Sequence, residues 1–322
     1  MDGDAEDVDA EATRLLAVLR RADPGVRVAR TPEERAALWA GRLGFAIATT
    51  AGGKRNFVND ITVPRQRIPE MMSRVREIAA RHRLDVPIVA HAGDGNVHPV
   101  ILYEEHERDA VFTAASEMTD AALDLGGTIT GEHGVGSDKL PHMVRRFTPA
   151  EIGSFRAIKR AFDPQGCLNP GVLLPAPSPG EPVDPEIEGL VTAALSGSPS
   201  HPAPSRSGPE SGVAIDEENL TVETGAAARC EDVRDVLGAR GLRNEAFEGT
   251  GTVGDAVHGP GTLHSVRPSL LAIEAELEHG RVRFGSAAIK DVAGLDAKRL
   301  LTGPSGGVGV LQRAIFRVTP KS

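Results

Sequence analysis

Two imidazoles bracket a short run of turn residues, His91-Ala92-Gly93-Asp94-Gly95-Asn96-Val97-His98. Before the first lies Val86-Pro87-Ile88-Val89-Ala90, and after the second lies Pro99-Val100-Ile101-Leu102-Tyr103. Both flanks are brief, apolar and β-branched, and turn residues bound them, so both are predicted as short buried strands. Gly93 and Gly95 can take positive φ, which makes Gly93 to Asn96 a tight connection. The segment is therefore expected to fold as a β-hairpin that carries one imidazole near the end of each strand. A third imidazole follows in Gly126 to Gly136, GGTITGEHGVG, where Glu132 and His133 stand after the strand-like run Thr128-Ile129-Thr130.

Two histidines and one carboxylate are a usual ligand set for a divalent ion with open coordination positions. An imidazole left outside such a set is a competent base near neutral pH. Three unrelated histidines near loops would satisfy the same spacing. This is not the helical H-E-x-x-H pattern. From the residues alone, both readings stand.

Composition narrows the setting. The chain has 322 residues and a formal charge of −9, which disfavours non-specific nucleic-acid binding. Aromatic residues are only 3%, so the core must rely on aliphatic side chains. No apolar run has membrane-spanning length. The acidic start, MDGDAEDVDAE, is neither a secretory signal nor a transit peptide. Cys167 and Cys230 are the only cysteines, too few for a disulfide framework or a four-cysteine cluster. A cytoplasmic location is expected, and any iron–sulfur centre must sit on another chain.

Residues 1–11 are expected to be a disordered tail. Ala12 to Arg21 carries leucines at helical spacing, and Thr31-Pro32-Glu33-Glu34 starts a second helix. Asn59 to Arg65 reads as a strand ending in a proline turn. Ile68 to His82 reads as an amphipathic helix with its methionines in the core. After the hairpin come a helix at Arg108 to Leu125, the Gly126 to Gly136 strand, and a helix at Pro149 to Phe162. This order predicts an α+β, ferredoxin-like first domain with an antiparallel sheet over 12–175. A Pro-, Ser- and Gly-rich stretch with one apolar island, Ile187 to Leu195, makes 176–212 an interdomain linker. Over 213–322, Val213 to Ala226 reads as two strands and Glu231 to Leu242 as a helix. The segments around Thr252 to Gly261 and Leu270 to Ser286 read as a hairpin-like pair, and a final strand closes the chain.

The segments HAGDGNVHP, GGTITGEHGVGSDK and AFDPQGCLNPG, in that order, resemble the cap domain of the FAD-linked oxidases. This is the vanillyl-alcohol-oxidase type family, which includes glycolate oxidase flavin subunits and D-lactate dehydrogenases. The resemblance implies that His91, His98 and Glu132 hold a divalent metal (zinc, manganese or iron) and that His133 is the catalytic base. It implies that Arg42, three residues after Trp39, reaches a substrate carboxylate, and that Asn169 lies beside a flavin ring. Some relatives carry a substrate-binding lysine where this chain has Val58, a departure that argues against a dicarboxylate substrate. Residues 213–322 resemble the later half of the PCMH-type FAD-binding subdomain of the same family. The matching positions are Gly225, Thr252, Val253, Gly254, Lys290, Gly294, Gly303, Gly306 and Gly309. Glycines so spaced let backbone N–H groups approach a cofactor.

The resemblance also implies a partner. In the family the flavin domain precedes the cap, and its first half carries a glycine-rich phosphate loop that this chain lacks before residue 213. The expected activity is oxidation of a small 2-hydroxy acid with FAD, completed by flavin-domain and iron–sulfur partner subunits. The competing expectation is a non-catalytic or truncated member that cannot bind FAD alone. A metal hydrolase would need no second domain of this kind.

Overall fold

A computed structural model describes residues 5–50, 53–177, 184–196, 206–259, 262–278, 280–303 and 309–321. The chain divides into two compact units, residues 1–56 and residues 57–321. The division falls at 56/57 and not within 176–212.

The first unit holds two helices, α1 (Ala5–Ala22) and α2 (Pro32–Thr50). Helix α1 begins at Ala5, where the composition predicts a tail to residue 11. The predicted start of α2 at Thr31 is a capping box. Thr31 Oγ1 accepts from Glu34 N at 3.2 Å, and Glu34 Oε2 accepts from Thr31 N at 3.3 Å, so two orphan donors of the first turn are satisfied.

The second unit starts with a small sheet. Its elements are β1 (Arg55–Val58), β2 (Ile61–Thr62), α3 (Ile68–His82), β3 (Ile88–His91), β4 (Asn96–Tyr103) and α4 (Arg108–Asp124). Strand β4 is central. Antiparallel β3 pairs with it through Val89↔His98 and His91↔Asn96, and antiparallel β2 through Ile61↔Val97 and Thr62↔Asn96. Strand β1 pairs with β4 beyond β2. A single antiparallel bridge, Thr62↔Thr128, adds a fourth position outside β2. The Thr128 to Thr130 strand expected from sequence is thus one bridge followed by a loop.

Side chains alternate across this sheet, as the two-residue period requires. Ile61, Val97, Ile101 and Tyr103 face α3 and α4, and form one core with Met71, Val75, Ile78, Val111 and Met118. The opposite face carries Asp60, Thr62, Asn96 and His98, all buried although polar. A buried polar face must find its partners within the protein, and those partners make up the site described below.

The rest of the unit continues with α5 (Leu140–Arg146), α6 (Pro149–Phe162), α7 (Pro185–Leu195), β5 (Arg206–Ser207), β6 (Val213–Asp216), β7 (Thr221–Gly225), α8 (Cys230–Gly238) and β8 (Leu242–Arg243). After these come α9 (Val253–His258), α10 (Thr262–Ser265), β9 (Leu270–Leu277), β10 (Gly280–Gly285), β11 (Val310–Arg317) and β12 (Thr319–Pro320). A second sheet has the antiparallel order β10-β9-β11-β7-β6, with β5 parallel on β11. The hairpin predicted here lies wholly within Leu270–Gly285. Thr252 to Asp255 instead opens helix α9 through a capping box.

One hydrophobic core joins what the sequence divides. It runs from Ile129, Met143 and Phe155 to Phe284, Phe316 and Val318. Phe155 of α6 packs its ring 5.5 Å from that of Phe284 on β10, and Glu151 Oε1 accepts from Arg283 N at 2.7 Å. The apolar island inside 176–212 is helix α7, whose Ile187 and Val191 are buried in the same core.

Candidate metal centre

The β3–β4 register sets the first two candidate ligands. His91 pairs with Asn96, and His98 lies two residues further along β4, so both imidazoles leave the same face of the sheet. Their ring centroids lie 5.3 Å apart, nearly perpendicular. The connecting turn needs Gly95, which has φ 82°, and a Cβ there would meet Val63 O at 2.0 Å. Gly93 is not among the positive-φ glycines, so one of the two turn glycines does this work.

Glu132 and His133 come from the loop after Thr128. On an extended strand, adjacent side chains would point to opposite faces. Asp60 removes that conflict. Its Oδ2 accepts from Thr130 Oγ1 at 2.6 Å, Gly131 N at 3.0 Å, Glu132 N at 2.9 Å and His133 N at 2.8 Å. Three successive backbone N–H groups wrap one carboxylate oxygen, which is an anion nest. Gly131 lies so close to the sheet that a Cβ would sit 2.2 Å from Thr62 Oγ1. Thr130 Oγ1 also accepts from Gly134 N at 2.9 Å, tightening the turn.

The result brings the predicted residues together. Glu132 Oε1 lies 3.8 Å from His91 Nε2, and Glu132 Oε2 lies 3.7 Å from His98 Nε2. One ligand atom from each of His91, His98 and Glu132 falls within 4.8 Å of the others. His133 stacks on His98 with centroids 5.2 Å apart and planes 19° apart. The set grades outward, with His98 buried, His91 half-buried, and Glu132 and His133 exposed.

The electrostatics suit a cation. Burial holds the His98 imidazole below its ordinary pKa, against the pull of Asp60, which favours the neutral form a metal ligand needs. Burial opposes ionisation of Asp60. Hydrogen bonds from Thr130, His133 and Glu132, with the charge of Lys139, outweigh it and bring the carboxyl to about 2. Lys139 is buried, and its ammonium donates to Ile129 O at 2.6 Å and to Asp60 O. Burial lowers its pKa to about 8. His98 Nδ1 and Asp60 Oδ1, 3.8 Å apart, are both buried without a hydrogen-bond partner among the described residues. An imidazole with one nitrogen turned to two ligands and the other to a carboxylate is the usual arrangement behind a bound ion. The nitrogen–nitrogen–oxygen donor set fits zinc, manganese or iron.

Four of the glycines expected to bind flavin pack closely against neighbouring atoms of the protein. Gly225 packs on the Glu210 backbone, Gly254 on Ser207, Gly294 on the Phe155 ring and Gly309 on the Glu276 backbone, each closer than a Cβ would allow. Thr252 is used in its capping box with Asp255, and Val253 is buried in the core. Gly303 has φ 84° and donates its N–H to Val257 O at 2.8 Å. Asn169 is on an exposed loop with φ 42°. Gly306 lies outside the described residues. At Gly225, Gly254, Gly294 and Gly309 the space beside the backbone is taken by the protein's own atoms. Arg42 is on α2 in the first unit, and its side chain lies outside the described residues.

Lys290, expected from sequence as a cofactor contact, donates its ammonium to Glu132 and pairs with Asp94 Oδ2 at 2.9 Å. Sequence reasoning assigned no site role to Asp60, Asp94 or Lys139. Asp60 had a signal, an acid placed just before Val63-Pro64-Arg65.

Residues 1–173 match the family of FAD linked oxidases, C-terminal domain, and the chain belongs to that family. It is 37% identical over 180 residues to the glycolate oxidase subunit GlcD of Escherichia coli K12, covering 54% of this chain and 36% of that protein. Against GlcD of Bacillus subtilis the identity is 36% over 176 residues, 53% of this chain and 37% of that protein. The mitochondrial D-lactate dehydrogenase [cytochrome] of Arabidopsis thaliana is 32% identical over 152 residues, 46% of this chain and 27% of that protein. The chain thus spans little more than a third of the GlcD proteins it matches. No helix among the described residues is long and apolar enough to cross a membrane.

Proposed function

We propose that this chain is the substrate-activating part of a FAD-linked oxidoreductase acting on a small 2-hydroxy acid such as glycolate or D-lactate. The observation that carries this reading is the convergence of His91, His98 and Glu132 with His133 stacked beside them. A divalent ion held by those three residues would supply Lewis-acid polarisation of the substrate hydroxyl. His133, exposed and outside the ligand set, takes the hydroxyl proton on its imidazole. Stacking on His98 and the bond from His133 N to Asp60 hold that base in place. Arg42 is assigned to the substrate carboxylate on the family resemblance alone.

The order β1, β2, α3, β3, β4, α4, followed by the Thr128 bridge beside β2, supports a ferredoxin-like cap, taken here as 12–175. Residues 176–212 connect it to a partial PCMH-type subdomain at 213–322. Flavin belongs in this reading to a partner chain, with an iron–sulfur subunit beyond it and the assembly in the cytoplasm. The filled glycine positions favour a second reading, a family member that has lost flavin binding and catalysis.

The test is the visible flavin absorbance of the purified chain, alone and mixed with flavin-domain subunits, followed by addition of glycolate or D-lactate. Substrate-dependent bleaching that requires this chain supports the first reading. A mixture whose bleaching is the same with and without the chain supports the second.

A further inference from the structure

We infer that Lys290 is a tethered counter-ion that competes with a divalent cation for Glu132, so that the second half of the chain sets the affinity of the metal centre. This rests on the reading of His91, His98 and Glu132 as a metal site.

Three observations converge on Lys290. Its ammonium donates to Glu132 Oε1, the same oxygen that faces His91 Nε2 at 3.8 Å. It also pairs at 2.9 Å with Asp94, which lies in the turn between the two histidine strands. One side chain therefore ties the hairpin turn to the Glu132 loop, using the charge that a bound ion would use.

The lysine's position is fixed from behind. Thr128 Oγ1 donates to Asp291 Oδ1 at 2.8 Å, and Val292 N donates to Thr130 O at 3.3 Å. Arg146 pairs with Asp291 Oδ2 at 3.2 Å. Gly294 packs directly on the Phe155 ring. The backbone of the lysine segment is thus docked on the loop that leads into Glu132. The lysine side chain itself is 34% exposed, long and unbranched, so its tip can move while its base stays fixed.

Loading an ion places two further positive charges beside an ammonium that shares a ligand oxygen. Like charges at such range repel strongly where water is partly excluded. The ammonium must then leave Glu132, and Asp94 offers it a carboxylate to stay on. Glu132 Oε2 is turned toward His98, whereas the lysine bond is to Oε1, so Oε2 is the first oxygen open to an incoming ion. Binding therefore works against the Lys290–Glu132 bond, and removing the ammonium should tighten it.

The experiment is titration of the metal-stripped full chain with zinc(II) and with manganese(II), followed by calorimetry and by competition with a chromophoric chelator. The proteins are wild type, Lys290→Met, Lys290→Gln and Lys290→Arg. The charge-neutral variants should bind about tenfold or more tightly, and Lys290→Arg, which keeps the charge, should stay near wild type. Far-UV circular dichroism checks that each variant is folded, and Lys290→Gln keeps the polar volume should methionine fail. Unchanged or weaker binding in a folded neutral variant overturns the inference while leaving the metal centre standing. Absence of binding in every protein, wild type included, overturns the metal reading and this inference with it.

Discussion

Asp60 Oδ1 and His98 Nδ1 face each other at 3.8 Å, both buried and neither hydrogen-bonded among the described residues. The other oxygen of Asp60 holds the backbone of Gly131, Glu132 and His133. One carboxylate thus stands behind a ligand on the sheet and behind a ligand on the loop. Replacing Asp60 by Asn should weaken metal binding about 10–100-fold, the usual effect of losing a carboxylate behind a ligating histidine. Chelator competition measures it, and an affinity equal to wild type would show that Asp60 serves the fold alone.

Acid should expose the same residue. Against burial, hydrogen bonds from Thr130, His133 and Glu132 hold the Asp60 carboxyl at about 2 against an ordinary 3.8, a difference worth roughly 2–3 kcal/mol. A depressed carboxyl contributes stability that is complete above its unfolded value. That contribution is lost as pH falls from near 4 through about 2. Urea unfolding from pH 6 down to about 2 should show this acid limb in wild type and a shallower one in Asp60→Asn. Parallel curves would remove Asp60 from the account.

The two members of the Glu132–His133 pair should separate in mutagenesis. His98→Ala is expected to lose the metal, because three ligands cannot spare one. His133→Ala should retain it and lower turnover of an active assembly by roughly 10²–10⁴-fold, the usual worth of a general base. Metal content by atomic emission distinguishes them, and loss of metal in His133→Ala with retention in Glu132→Ala would reverse their roles.

Close approach makes Gly131 sensitive. A Cβ there meets Thr62 Oγ1 at 2.2 Å and Asn96 Cγ at 2.8 Å, both on buried residues. Gly131→Ala should destabilise the second unit by about 1–3 kcal/mol through overpacking. Thermal melting followed by circular dichroism gives the value, and a neutral result would mean the loop relaxes away from the sheet.

Residues 129 to 318 share one core, so the later part of the metal-bearing segment and the second sheet should melt together. Phe155→Ala, which removes a ring packed between Phe147, Phe284 and Gly294, should cost about 3–5 kcal/mol. Hydrogen exchange should then rise in both the α6 and β9–β10 segments. A rise confined to α6 would mean that the two parts unfold separately.

The hairpin, α3, α4 and α6 were legible because their signals are local. Turn glycines mark the hairpin, and apolar spacing marks Ile68–His82 and Pro149–Phe162 almost to the residue. The seven-residue α5 is too short to show a period, and Thr128 has strand composition but only one bridge. The closeness of His91 and His98 was readable because both lie within one hairpin. Lys290 was not, since its partner Glu132 lies 158 positions away and nothing near Lys290 announces it. Asp60 meets His133 across 73 positions in the same way.

Strand β4 sends Val97, Ile101 and Tyr103 toward the helices, and Asn96 and His98 toward the ligands. A slip of one residue would exchange the two sets, pressing imidazole against methionine and leaving valine or proline where His98 stood. Correct pairing and correct chemistry are therefore a single event in this strand. Chains that pair wrongly would be blind to the metal, so ion uptake by a fresh preparation would report how much of it had folded true.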